Sequence, residues 1–142
     1  MVNRVLVGID FSAVSREALA KAAAWAERLH LPLTVVHVIE HPEQALFRLY
    51  APMGDPAWFH EFEPKAQEML DQWLAPYPGA KGVIKHGRAA ASLIEEADAR
   101  TLVVVGHAGH GMVDMLRLGS TAERVVRGAL GDVLVVRVGP RA

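Results

Sequence analysis

Apolar positions along the chain follow two alternating rhythms. Val2 to Ile9, Leu33 to Ile39, Thr101 to Val105 and Val133 to Val138 are segments rich in β-branched and aliphatic residues that alternate poorly, as expected of strands covered on both faces. Between these runs the apolar spacing lengthens to three and four. Leu19, Ala22, Ala23, Ala26 and Leu29 mark one side of a helix that Ser12 or Ser15 can cap, and Pro32 breaks the pattern before the next strand. Trp58, Phe62, Ala66, Met69 and Trp73 predict a second helix packed on the sheet, closed by Pro76, Pro78 and Gly79. Lys81 to Lys85 reads as a short strand and Ala89 to Ala99 as a helix, while a further helical periodicity starts after Gly119 and Ser120. Strands that alternate with helices predict an α/β layered domain. The sheet should be open, five-stranded and mainly parallel, with right-handed crossovers and helices on both faces.

One segment escapes both rhythms. From Glu40 to Pro56 the periodicity is lost among His41, Pro42, Pro52, Gly54 and Pro56, a stretch too long for an ordinary connection and expected to be a mobile or functional loop.

The length of 142 residues suits a single domain over 1–142, large enough to fold without staples. The absence of cysteine excludes disulfides, thiolate metal sites and thiol chemistry. A formal net charge of -1 argues against broad electrostatic binding to nucleic acid or anionic lipid, although Arg124, Arg127, Arg137 and Arg141 make the last quarter locally basic. No apolar run approaches a membrane span and MVNRVLVGID has no signal-peptide profile, so a cytoplasmic protein is expected.

Open parallel sheets bind ligands at the carboxyl ends of their strands. Gly8, Ile9 and Asp10 close the first strand, Val38 lies near the end of the second, and Val105 and Gly106 end the fourth. Gly106 and Gly109 break the loop that follows, where positive φ and close backbone approach would suit an anion, and the first amides of the helix near Ser120 to Glu123 would add donors. Each residue also has a plainer use. Asp10 can cap the first helix or order its turn, the glycine pair can serve a tight turn alone, and Ser120 can be an N-cap.

The spacing Gly106, two residues, Gly109, nine residues, Gly119-Ser120 resembles the ATP-binding signature of the universal stress protein family. The opening VLVGIDFS, the second strand TVVHVIE and the closing VLVVRV extend the resemblance over essentially the whole chain. It implies an adenine nucleotide alpha hydrolase-like sheet with strand order 3-2-1-4-5 and a cleft for ATP, ADP or AMP, with Mg²⁺ as an accompanying cation. On the same resemblance Gly8, Ile9 and Asp10 border the base and ribose, and the main chain at Val38 reads the adenine edge. Val105 and Gly106 border the nucleotide, Gly109 approaches the phosphates, and Gly119, Ser120 and Thr121 hold them. His107 and His110 are expected to be phosphate neighbours, donating hydrogen bonds. The resemblance departs at His107, at Ala122, which lacks a hydroxyl some relatives have, and at Asp132, where proline is frequent.

Other nucleotide machinery is missing. There is no G-x-x-x-x-G-K-[ST], the first strand is not followed by G-x-G-x-x-G, and Gly8-Ile9-Asp10 supplies one carboxylate where a receiver domain needs a pair. Two loop histidines without an acidic partner fall short of a zinc site, and His37, within an apolar strand, reads as a satisfied core imidazole. The expected protein is therefore an ATP-binding stress or signalling protein that works through ligand-dependent conformation and an unknown protein partner. A slow ATPase or self-phosphorylating enzyme using Ser120 or Thr121, and a nucleotide-free assembly module, are the rival readings. VLVVRV is expected to be an exposed edge strand, and universal stress proteins commonly pair through their last strand, so a homodimer through Val133 to Val138 is expected.

Overall fold

The computed structural model describes residues 1–40, 62–109 and 117–138. Five parallel strands, β1 (Arg4–Ile9), β2 (Leu33–Ile39), β3 (Lys81–His86), β4 (Thr101–Gly106) and β5 (Val133–Val136), lie in the order β3-β2-β1-β4-β5. The described helices are α1 (Ala13–Leu29), α2 (Glu63–Leu74), α3 (Ala89–Glu96) and α4 (Ser120–Gly128). The expected strand order and layering are observed.

Strand parity assigns the two faces. Val5, Val7, Ile9, Val35 and Val104 pack with Leu19 and Ala22 of α1 and Leu70 of α2. Leu6, Val36, Val103 and Val105 point the other way, onto Leu93 of α3 and Val125 of α4. Because β1 is central, with Gly8 opposite Val36 and Val7 opposite Val104, its side chains are buried on both faces, which is why its sequence does not alternate.

Several sequence expectations are corrected at element ends. Leu29 holds the expected side of α1 but is its last residue, beyond the buried stretch from Ser15 to Ala26, and is 45% exposed. The buried stripe of α2 is Ala66 and Leu70, with Trp73 and Leu74 partly buried, so the expected line through Phe62 and Met69 is turned by a residue and Phe62 is exposed. α3 stops at Glu96, where Ala97 takes an extended conformation, and β5 stops at Val136. Trp58 and all but Glu40 of the Glu40 to Pro56 loop lie outside the described residues. Among the described residues, no helix is long and apolar enough to cross a membrane.

Candidate functional site

The carboxyl end of β1 runs into a turn locked by three short side chains. Asp10 Oδ1 accepts the Ser12 N–H at 3.0 Å, and Ser12 Oγ, the N-cap of α1, accepts the Ser15 N–H at 3.1 Å. Ser15 Oγ accepts the Asp10 N–H at 3.3 Å and donates to the Ser12 carbonyl at 3.0 Å. Of the plainer uses open to Asp10, ordering the turn is the one observed. Phe11 sits inside this ring of bonds at φ 63°, a left-handed conformation that is unusual for an aromatic residue and that the surrounding bonds maintain.

On the second strand the side chains part by parity. His37 faces α1 and α2, where Nδ1–H donates to the Ile9 carbonyl at 2.9 Å and the ring lies 4.3 Å from that of Phe11. It is the satisfied imidazole expected. Burial lowers its pKa from the ordinary 6.5, outweighing the opposing effects of the Ile9 carbonyl and the Asp10 charge. Val36 and Val38 face the other way, toward the cleft.

The fourth strand delivers the chain to the head of α4. The Gly119 N–H donates to the His107 carbonyl at 2.7 Å, and Gly119, in extended conformation at φ -63°, is the N-cap. Its carbonyl takes the Glu123 N–H at 2.9 Å, so the intrahelical ladder begins there and the amides of Ser120, Thr121 and Ala122 precede any helical acceptor. The set of donors is therefore one residue shorter than Ser120 to Glu123. Ser120 is the first helical residue and not the N-cap.

These segments enclose a cleft of about 410 Å³ at the carboxyl ends of β1, β2 and β4. Gly8, Ile9, Asp10, Val38, Val105, Gly106, Gly109, Gly119, Ser120 and Thr121 all line it. Its wall on the α3 side, Ala89 and Leu93, and its rim residue Glu40 were not picked out from the sequence; Glu40 could have been, since it directly follows a strand on the ligand-binding end of the sheet. Glu40 Oε1 accepts the Ala89 N–H at 2.7 Å and so caps α3, whose own N-cap, Arg88, supplies no side-chain bond.

Two expectations about this loop change. Gly106, Gly109 and Gly119 do not use positive φ; among the described glycines only Gly79 and Gly87 do. Their value lies in close approach: a Cβ on Gly109 would stand 2.5 Å from Asp10 Oδ2, and one on Gly119 3.1 Å from the His107 carbonyl. His107 itself is 1% exposed and is not part of the cleft lining. Its N–H is bonded to the Val136 carbonyl at 2.8 Å, and its Nδ1 accepts the Val138 N–H at 3.4 Å, so the end of β5 holds the ring away from the cleft. His110 lies outside the described residues. Among the described residues no group of three potential ligands could hold a metal ion.

The family model for the Universal stress protein family matches residues 1–137. The chain belongs to the universal stress protein family. A universal stress protein of Mycolicibacterium smegmatis is 33% identical over 94% of the chain, but the chain spans 45% of that relative's length. A putative universal stress protein of Staphylococcus aureus is 29% identical over 95% of the chain and 84% of its own length. Among solved structures, universal stress protein UspA from Lactobacillus plantarum superposes with a TM-score of 0.68 at 25% identity, over 95% of this chain and 97% of that one. A universal stress protein solved in complex with cAMP has a TM-score of 0.62 at 23% identity, covering 96% and 98%. The universal stress protein from Archaeoglobus fulgidus solved in complex with dAMP scores 0.63 at 20% identity, covering 96% and 100%.

Proposed function

We propose that this universal stress protein binds an adenine nucleotide in the cleft and signals through the conformation and contacts that the ligand stabilises. The observation that carries this reading is the meeting of three strand ends with the unladdered amides at the head of α4: an apolar wall for a base and a donor-rich corner for phosphate in one 410 Å³ space. Solved relatives of the same fold hold cAMP and dAMP, which supports the adenine class. The resemblance of the Gly106, Gly109, Gly119-Ser120 spacing to the family's ATP-binding signature favours ATP, with Mg²⁺ held through phosphate oxygens and water.

In this reading binding is the output. A ligand can shift the protein only by its differential affinity for two states, so the proposal needs a nucleotide that binds one state of the protein more tightly than another. A cytoplasmic homodimer through β5, contacting a further protein, completes the proposed picture.

The test is denaturing release of small molecules from protein purified without added nucleotide, mass identification, and titration of the stripped protein with AMP, ADP and ATP. Saturable binding of adenine nucleotides is expected. A stripped protein that binds none of them, yet remains folded and dimeric, would replace this reading with that of an assembly module.

A further inference from the structure

Asp10 and Phe11, adjacent in the chain, face two different cavities. Asp10 lines the nucleotide cleft, whereas Phe11 lines a second space of about 370 Å³ on the α1 and α2 side of the sheet, with His37, Phe62 and Met69. The backbone of Phe11 is left-handed at φ 63°, a conformation open to glycine but costly for a residue with a side chain unless that side chain gains elsewhere. The ring gains on the far face. It lies 4.3 Å from the His37 ring on β2 and meets Trp73 of α2 edge-on at 5.2 Å, and the Arg16 guanidinium of α1 sits 4.1 Å over the Trp73 ring. His37 is itself fixed by the Ile9 carbonyl at 2.9 Å. On the near side, the bond from the Ser12 N–H to Asp10 Oδ1, 3.0 Å long, spans Phe11, so the set of the aspartate depends on the φ that Phe11 holds.

We infer that Phe11 is a positioning residue for Asp10: its ring, clamped on the opposite face of the sheet, holds the left-handed turn that keeps the Asp10 carboxylate aimed at the ribose hydroxyls of a bound adenine nucleotide. The inference rests on the adenine-nucleotide reading above. Sheet order accounts for the ribose. β1 lies between β2, which carries the apolar wall at Val36 and Val38, and β4, whose continuation at His107 is bonded to Gly119 at the head of α4. A base against the first and a phosphate against the second leave the sugar over the end of β1, where a carboxylate accepts from hydroxyls and repels phosphate. Phe11 does not line the cleft and acts only through its neighbour.

The experiment titrates the stripped protein with AMP and with 2′,3′-dideoxy-AMP, which lacks both ribose hydroxyls, for the wild type, Phe11→Gly and Phe11→Tyr. Glycine permits the same φ without the ring. Tyrosine keeps the ring, and its hydroxyl has the second cavity to enter. The wild type should prefer AMP by roughly tenfold, the value of a hydrogen bond to a charged acceptor. In Phe11→Gly the preference should fall to about twofold, and in Phe11→Tyr it should return to near the wild-type value. A role confined to stability would lower both affinities in proportion, so an unchanged ratio in Phe11→Gly overturns the inference, as does a tyrosine variant that behaves like glycine. Equal binding of the two ligands by the wild type also overturns it while the nucleotide site stands. Binding of neither removes the adenine-nucleotide reading with it. Should Phe11→Gly fail to fold, Trp73→Leu decides: it takes away the edge contact on α2 without touching the turn, and should narrow the preference by about twofold or more. An intact preference in that variant counts against Phe11 in the same way.

Discussion

Asp10 and Gly109, 99 positions apart in the chain, are so close that a β-carbon on Gly109 would lie 2.5 Å from Asp10 Oδ2. Asp10 cannot swing aside at no cost, because its other oxygen holds the Ser12 N–H at the entrance to α1. Gly109→Ala therefore sets the loop that follows β4 against the turn that ends β1. A loss of nucleotide affinity of tenfold or more is expected, about 1.4 kcal/mol, with the circular dichroism spectrum unchanged. Wild-type affinity in this variant would mean that the ligand does not need the two segments in contact.

Gly8 makes a comparable approach where β1 passes under the cleft wall. An added β-carbon would meet Leu93 Cδ1 at 2.6 Å, so Leu93, 2% exposed, must change rotamer or the strand and helix must part. Gly8→Ala should destabilise the fold by about 1–3 kcal/mol in urea unfolding. Leu93→Ala should cost about 2–5 kcal/mol alone, yet the double variant should be less damaged than the sum, because the new methyl enters the space Leu93 vacates. Strict additivity would show that the two positions do not press on each other.

The pH dependence follows from His37. Burial favours its neutral form in the folded chain, so the folded pKa lies below the ordinary 6.5. The unfolded state then binds the proton more readily, and the stability His37 contributes is complete above pH 6.5 and is lost as pH falls through the lowered folded value. His37→Gln retains a donor for the Ile9 carbonyl and removes the titration. The urea midpoint of the wild type should fall more steeply than that of the variant between pH 7 and pH 5; parallel curves would contradict the assignment.

Much of this was legible in the chain before any coordinates. Val5 to Ile9, Leu33 to Ile39 and Val103 to Val105 announce doubly covered strands because burial on both faces leaves no polar alternation, and the glycine spacing marks the loop by its length alone. Other features depend on contacts that spacing does not encode. His107 reads as a polar loop residue, yet Val136, Val138 and Gly119 all bond to it, and those partners are brought in only by the β4–β5 ladder and the head of α4. Glu40 was passed over because its role comes from Ala89, 49 residues away, and Ser120 lost the expected cap role because Gly119 reaches the His107 carbonyl first.

The proposed homodimer can be tested with one main-chain donor. In the β4–β5 register, Val103 donates to the Asp132 carbonyl and His107 to the Val136 carbonyl, which places the Val135 N–H on the side of β5 away from β4. Val135→Pro removes a donor from that outer edge without breaking a bond to β4. Sedimentation should show a shift toward monomer with little change in nucleotide affinity. An unchanged dimer mass would put the interface elsewhere.

The sheet order has a further consequence, for how the chain reaches this structure. β1 pairs with β2 across fewer than thirty residues, but its other ladder joins Arg4 to Thr101 and Val7 to Val104. A chain emerging from the ribosome thus carries its central strand with one edge unpaired until nearly a hundred further residues have been made. Contacts of such separation slow folding and expose the waiting strand to wrong partners. The central position that protects β1 in the finished protein makes it the most vulnerable segment during synthesis.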